Sequence, residues 1–243
     1  MTVAVDVLAV GPHPDDVELG AGGTVAKLAR AGRRVAILHL TCGEAGTRGS
    51  VAERRREAER AAERLGAASV EFLALGDGGL RIGREEEELV IAALRRLRPE
   101  LVLGPAPEDR HPDHGRAHRL LRAACFYAGL AKRGAAPPHR PAALFSYLQH
   151  DAVFAPSFVV DVTADWATKQ AALDAYESQI HRLGAEPSAG PSTVTASRRF
   201  RLAVEGRARH FGQLVGAELG EPFWSPTPLA VPDPWQLLPA GLR

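Results

Sequence analysis

The 243-residue chain has no asparagine, a single methionine, and only two cysteines, Cys42 and Cys125. Two isolated thiols with no CxxC pair exclude a disulfide-stapled domain and a zinc knuckle. Cys42 closes an apolar run and is expected to be a buried, inert thiol. No apolar stretch is long enough to cross a bilayer. No basic segment followed by an apolar one opens the chain, so the expected location is the cytoplasm. The 30 basic and 29 acidic side chains leave a formal charge of +1, too little to favour nucleic acid or an anionic membrane as partner. Scarce thermolabile residues, 18 prolines and arginine in place of lysine are thermophile tendencies, although a GC-rich coding sequence produces the same bias.

What is present is an alternation of strand-like and helix-like segments. Apolar runs at Val3–Val10, Arg34–Thr41, Val70–Leu75 and Leu101–Leu103 are separated by helical patterns at about Gly22–Arg30, Val51–Leu65 and Glu85–Leu97, and a fourth helix follows at His114–Leu130. Gly32 and Gly66 stand where helix ends need a left-handed cap. Such spacing indicates βαβ units, hence an α/β fold with a mostly parallel, doubly wound sheet and helices on both faces. The expected strand order is 3-2-1-4-5. Further strands are expected at Ala143–Leu148 and Phe158–Val162, and helices at Thr163–Ile180 and Phe200–Leu214. The whole chain reads as one domain, with a core over 1–133 and a C-terminal elaboration over 134–243. The Pro- and Trp-rich end from Glu221 cannot be regular helix; the stretch Trp224–Trp235 either crosses a neighbouring subunit, closes the pocket, or packs on its own domain.

Two short clusters carry the chemistry. His13-Pro14-Asp15-Asp16 follows the first strand, and His111-Pro112-Asp113-His114 follows the fourth after a short bridge. In an open α/β sheet, ligands bind beyond the carboxyl ends of strands where strand order reverses. Strands one and four meet at that reversal, so motifs about a hundred residues apart become neighbours. His13, Asp16 and His114 then form a His-Asp-His set with a position left open, the pattern of a catalytic zinc site; imidazole and carboxylate accept ferrous iron as well. Asp15 is the candidate general base. His111 is the candidate to stabilise an oxyanion or to protonate a leaving nitrogen. Asp113 either orients an imidazole or is an ordinary capping carboxylate. Taken alone, His-Pro-Asp-Asp would fit a helix-capping turn equally well; two such clusters at one switch point favour the metal site.

At these residues the chain resembles the LmbE-like, PIG-L-type zinc deacetylases, which carry A-H-P-D-D and H-P-D-H motifs. Pro12 stands where alanine is usual, and the ligands are intact. Thr47-Arg48-Gly49, Leu75–Leu80, Phe158–Val162, Ser178-Gln179, Arg207–Gly212 and Gly220–Phe223 extend the similarity over most of the chain. They look most like the bacillithiol-pathway branch, which deacetylates N-acetylglucosaminyl malate. The resemblance implies a Rossmann-like fold, His13, Asp16 and His114 as zinc ligands, Asp15 as base, His111 as oxyanion-stabilising acid, a small N-acetyl-sugar substrate, and a homo-oligomer, a hexamer in this branch. Relatives act on inositol-linked sugars, chitin-derived sugars or thiol conjugates.

A malate-bearing substrate has two carboxylates, which suit forked guanidinium groups. Arg48, Arg54, Arg110 and Arg140 are the candidates, with ordinary solvated arginine as the alternative for each. Asp77, in a glycine-rich turn, reads more readily as a carboxylate bonding its own backbone. Gly20-Ala21-Gly22-Gly23 lacks the G-x-G-x-x-G spacing, so a dinucleotide site is not expected. A two-metal phosphoesterase and a non-catalytic binding module rank behind the deacetylase; one visible ligand set disfavours the first and the intact acid–base set the second.

Overall fold

The computed structural model describes residues 4–150, 155–186 and 190–237. Seven strands, β1 (Val7–Gly11), β2 (Val35–His39), β3 (Ser69–Phe72), β4 (Leu101–Pro105), β5 (Ala143–Tyr147), β6 (Phe158–Asp161) and β7 (Gly220–Trp224), form one sheet in the order β3-β2-β1-β4-β5-β7-β6. The five strands from β3 to β5 are parallel, as expected, and β7 pairs antiparallel with both β5 and β6. Among the described residues, six α-helices accompany them: α1 (Asp16–Arg30), α2 (Val51–Leu65), α3 (Arg84–Leu97), α4 (Pro112–Ala128), α5 (Trp166–Leu173) and α6 (Arg198–Leu214).

Pleating explains why the sheet is covered on both sides. Along β1, Val7 and Ala9 join one core while Leu8 and Val10 join the other; Val35 and Ile37 split from Ala36 and Leu38 in β2 the same way. Side chains of α1, α2, α5 and α6 fill the first core, and those of α3 and α4 the second. Local chemistry agrees with this layering. Ser50 and Glu53 form a reciprocal capping box at the start of α2, and Gly66 ends it in the left-handed region at φ 74°.

Three departures from the sequence expectations have physical causes. First, the helix expected from Gly22 begins at Asp16, so the glycine cluster lies inside it. Those glycines are there for packing: a Cβ on Gly20 would lie 2.1 Å from the Tyr147 ring, and one on Gly23 would lie 2.8 Å from Val162 Cβ. Second, the helix expected over Thr163–Ile180 is a short 3-10 turn followed by α5, which stops at Leu173. Beyond it, side chains of α2 and its approach take the backbone groups: Glu57 accepts from Ser178 N at 2.7 Å, and Arg48 Nε donates to Ser178 O at 2.6 Å. Third, Glu221-Pro222-Phe223 is a strand, inserted between β5 and β6. Pro222 stands opposite Val159 of β6 at a non-hydrogen-bonded position, and the β5 pairing involves only Phe223 and Trp224, so no ladder partner waits on either side for the missing N–H. Beyond β7 the chain runs over the surface, and Trp235 is 67% exposed.

The inserted strand also anchors α1. Glu221 accepts hydrogen bonds from Gly23 N (2.8 Å), Thr24 N (2.7 Å), Thr24 Oγ1 (2.6 Å) and Lys169 Nζ (2.6 Å), and Lys169 also donates to Leu19 O at 2.9 Å. All of these partners are buried. Removing one member of such a pair strands the other charge, whereas removing both need not. Glu221→Gln is expected to lower the unfolding free energy by about 3 kcal/mol, and the double variant Glu221→Gln/Lys169→Met by distinctly less, read from urea denaturation midpoints. A single variant that unfolds like the wild type would show that this network holds nothing.

Candidate metal and catalytic site

The first cluster owes its shape to a loop whose carbonyls are all held. Leaving β1, Gly11 O accepts from Leu40 N at 2.9 Å, and Pro12 O accepts from Thr41 N at 3.0 Å and Thr41 Oγ1 at 2.9 Å. His13 O accepts from His39 Nδ1 at 3.1 Å, and Pro14 O from Arg54 Nη2 at 2.7 Å. Burial pushes His39 down to about 4, so the ring stays neutral with its Nδ1 proton committed to this bond. Asp15, the residue before α1, sits at φ 101°. A left-handed aspartate costs about 1–3 kcal/mol and persists only where its surroundings enforce it.

The second cluster is positioned by the start of α4. His111 is its N-cap, Pro112 occupies the first turn, and His111 Nδ1 accepts from Asp113 N at 3.2 Å. With Nδ1 accepting, the ring proton is on Nε2. Asp113 is fully buried and receives Gly78 N at 2.8 Å, Leu80 N at 3.2 Å and Arg116 Nη1 at 2.9 Å. It therefore fixes the turn after β3 against α4.

The fold brings the two clusters into contact. Asp16 Oδ2 lies 3.0 Å from His13 Nδ1 and 3.3 Å from His114 Nε2. Ligand atoms of His13, His111 and His114 all fall within 4.8 Å of one another. The outer nitrogens face carboxylates: His13 Nε2 is 3.0 Å from Asp77 Oδ1 and 3.6 Å from Asp113 Oδ2, and His114 Nδ1 is 3.3 Å from Asp109 Oδ1. Neither outer nitrogen makes a well-angled hydrogen bond, so these are close charge contacts. Gln149 donates to Asp16 Oδ1. Asp109 itself is held by His150 N at 3.0 Å.

The electrostatics point to a cation. Burial works against charge on Asp16, yet His114 and His13 beside it hold its carboxyl well below the usual range. Burial also works against charge on His114, but Asp16 and Asp109 raise it to about 9. The pocket thus favours positive charge among its carboxylates. Zinc–ligand bonds of about 2.0–2.1 Å in a tetrahedron separate donor atoms by about 3.3 Å, close to the spacings around Asp16 Oδ2. Among the described residues, His13, His111 and His114, and separately His13, Asp77 and Asp113, bring ligand atoms close enough to hold a divalent ion; Asp16 Oδ2 borders the first set, in contact with His13 Nδ1 and His114 Nε2, and Asp77 and Asp109 stand behind its imidazoles.

Asp15 and His111 flank this set. Burial pushes the Asp15 carboxyl up to about 7, opposed by Arg54, whose Nη2 is 3.7 Å away. Burial and the neighbouring histidines His13 and His114 lower His111. His13, Asp15, Asp16, Arg110, His111 and His114 line one cleft of about 430 Å³, along with Arg54, Thr47, Asp77, Gln149, His150, Gln179 and Thr195.

The four arginines part company. Arg110 is exposed at this cleft, whereas Arg54 is 4% exposed and spends its guanidinium on Pro14 O and Gly43 O. Arg48 lines a neighbouring cavity and donates to Ser178 O and Pro191 O. Arg140 lies over the Phe126 ring near the far end of α4 and donates to Phe126 O; the 17 residues of that helix, about 25 Å in length, separate this end from His111. Asp77 is more than a turn residue, since its Oδ2 accepts Ala45 N at 2.9 Å while Oδ1 faces His13. Asp109, His39 and Gln149 were not singled out from sequence. Asp109 had a visible signal, two residues before His111; a buried histidine ending an apolar strand was the weaker signal for His39.

The α/β chain gathers buried histidines and carboxylates at its strand switch point, and comparison gives the class. The family model of the PIG-L, GlcNAc-PI de-N-acetylase type matches residues 8–125. A diacetylchitobiose deacetylase of Thermococcus kodakarensis is 35% identical over 190 residues, covering 72% of this chain and 70% of the relative. A 4-oxalmesaconate hydratase of Pseudomonas putida is 31% identical, covering 72% and 74%. The crystal structure of a conserved protein from Thermus thermophilus superposes with a TM-score of 0.84 at 40% identity, covering 94% of this chain and 98% of that one. The chain belongs to the PIG-L/LmbE family.

Asp109→Asn keeps the shape behind His114 but removes the charge. It is expected to weaken metal binding by roughly 10–100-fold, measured by competition with a chromophoric chelator, with the fold unchanged by circular dichroism. Unaltered affinity would mean that Asp109 does not support His114.

Proposed function

We propose that this chain is a metal-dependent hydrolase that removes the acetyl group from an N-acetylglucosaminyl compound. The observation that carries the reading is the Asp16 carboxylate shared between His13 Nδ1 and His114 Nε2, with Asp15 and His111 in the same cleft. His13, Asp16 and His114 would hold zinc, or ferrous iron, whose Lewis acidity serves to polarise the acetamide carbonyl and acidify water.

The remaining steps belong to the protein. Asp15, buried and held close to neutral pH in its proton affinity, takes the proton of the attacking water. Arg54 keeps it from drifting by gripping Pro14 O next door. His111 presents Nε2–H toward the cleft, where it stabilises the carbonyl oxygen as negative charge develops or protonates the departing amine. Arg110, exposed at the rim, is the guanidinium best situated for a substrate carboxylate. This supports N-acetylglucosaminyl malate, the bacillithiol-type substrate, over a neutral aglycone. An inositol-linked or chitin-derived sugar and an amide of a thiol conjugate remain within the same chemistry. A hexameric, cytoplasmic enzyme is part of this reading. Among the described residues no helix is long and apolar enough to cross a membrane.

A second reading is favoured by one observation: the Pseudomonas relative is named as a hydratase. A base, an acid and a cation in one cleft also suit addition of water to a polarised double bond.

Acetate release from N-acetylglucosaminyl malate, N-acetylglucosaminyl inositol and N,N′-diacetylchitobiose separates these readings. The malate compound is expected to turn over fastest. Asp15→Asn should lose about 10²–10⁴ in kcat and keep its metal, while His114→Ala should lose both. No acetate from any of the three, with hydration of an unsaturated dicarboxylate, would replace the deacetylase by the hydratase.

A further inference from the structure

A second cavity, of about 390 Å³, lies at the amino end of α6 and shares no lining residue with the catalytic cleft. Arg48, Arg198, His181, Ser192, Thr193 and Ser197 contribute its polar wall, and no carboxylate side chain lines it among the described residues. In a chain with almost equal numbers of acids and bases, such one-sided lining calls for an explanation. His181 supplies a second observation. It is 6% exposed, lines this cavity, and makes no hydrogen bond, ion pair or ring contact with any other described residue. With no partner in the described protein, the imidazole of this largely buried residue is left for whatever occupies the cavity that it lines.

The surrounding geometry is made of donors. Ser197 caps α6, accepting from Phe200 N at 3.2 Å and donating to Val194 O at 2.6 Å. That leaves the amide groups of Arg198 and Arg199 at the positive end of a seventeen-residue helix. Arg48 is braced by donating Nε to Ser178 O at 2.6 Å and Nη1 to Pro191 O at 2.7 Å, so its guanidinium is fixed beside the cavity.

We propose that this cavity binds a phosphate-type oxyanion, either free or carried as a monoester on a small sugar. Guanidinium groups, hydroxyls, an imidazole and a helix amino terminus are the groups that recognise such an anion. The site is independent of the deacetylase reading, because it stands on residues outside the catalytic cleft.

Isothermal titration of the metal-loaded protein with inorganic phosphate, and separately with glucose 6-phosphate, tests the proposal. Saturable binding of one anion per chain is expected, and tighter binding of one of the two identifies the source. Arg198 is exposed, so Arg198→Glu should fold normally and bind at least roughly tenfold more weakly. His181→Gln should weaken binding as well, and His114→Ala should leave it intact. The proposal is overturned if no saturable binding is found up to about 10 mM, a concentration that would detect even weak millimolar binding. It is equally overturned if Arg198→Glu binds like the wild type, or if binding disappears in His114→Ala, which would move the anion to the catalytic cleft.

Discussion

The arrangement depends on one constraint: buried imidazoles and carboxylates crowded along one cleft need a positive charge among them. Asp16 is 3% exposed and touches two histidines, each of which has a further carboxylate behind it. Burying those acids without a counter-charge would cost several kcal/mol each. A proton shared among the histidines satisfies the pocket in one way; a divalent ion does so with the geometry that the donor spacings offer. Burial first, and the neighbouring charges after it, displace the proton affinities of Asp15 upward and of His111 downward.

The scaffold supplies this crowding from a distance. The strand switch brings β1 and β4 side by side, and β2 contributes the donors that hold the loop between Gly11 and Pro14. Behind α1, the late strand β7 delivers Glu221 to the amides of Gly23 and Thr24, and Lys169 neutralises it. The C-terminal half thus locks the helix on which Asp16 stands.

Much of this was legible in the chain itself. Alternation of apolar runs and helices gave the parallel sheet and its order, since period and spacing are local properties. The meeting of the His13–Asp16 and His111–His114 clusters was readable too, because each follows one of two strands that the topology makes neighbours. Other features were written in packing and stayed hidden. Gly20 reads as a helix breaker until Tyr147 occupies the space above it. Pro222 argues against a strand until the pairing shows no donor is missed. Arg54, a candidate substrate contact, lines the cleft, but its guanidinium donates to Pro14 O and Gly43 O. Arginine is ambiguous in sequence because its reach is long and its partners lie far along the chain.

The most direct measurement is anomalous diffraction at the zinc edge from crystals of the metal-loaded protein. One peak is predicted within about 2.0–2.1 Å of His13 Nδ1, an Asp16 carboxylate oxygen and His114 Nε2. A peak lying instead between His13 Nε2, Asp77 and Asp113, or no peak in a protein that still turns over substrate, would contradict it.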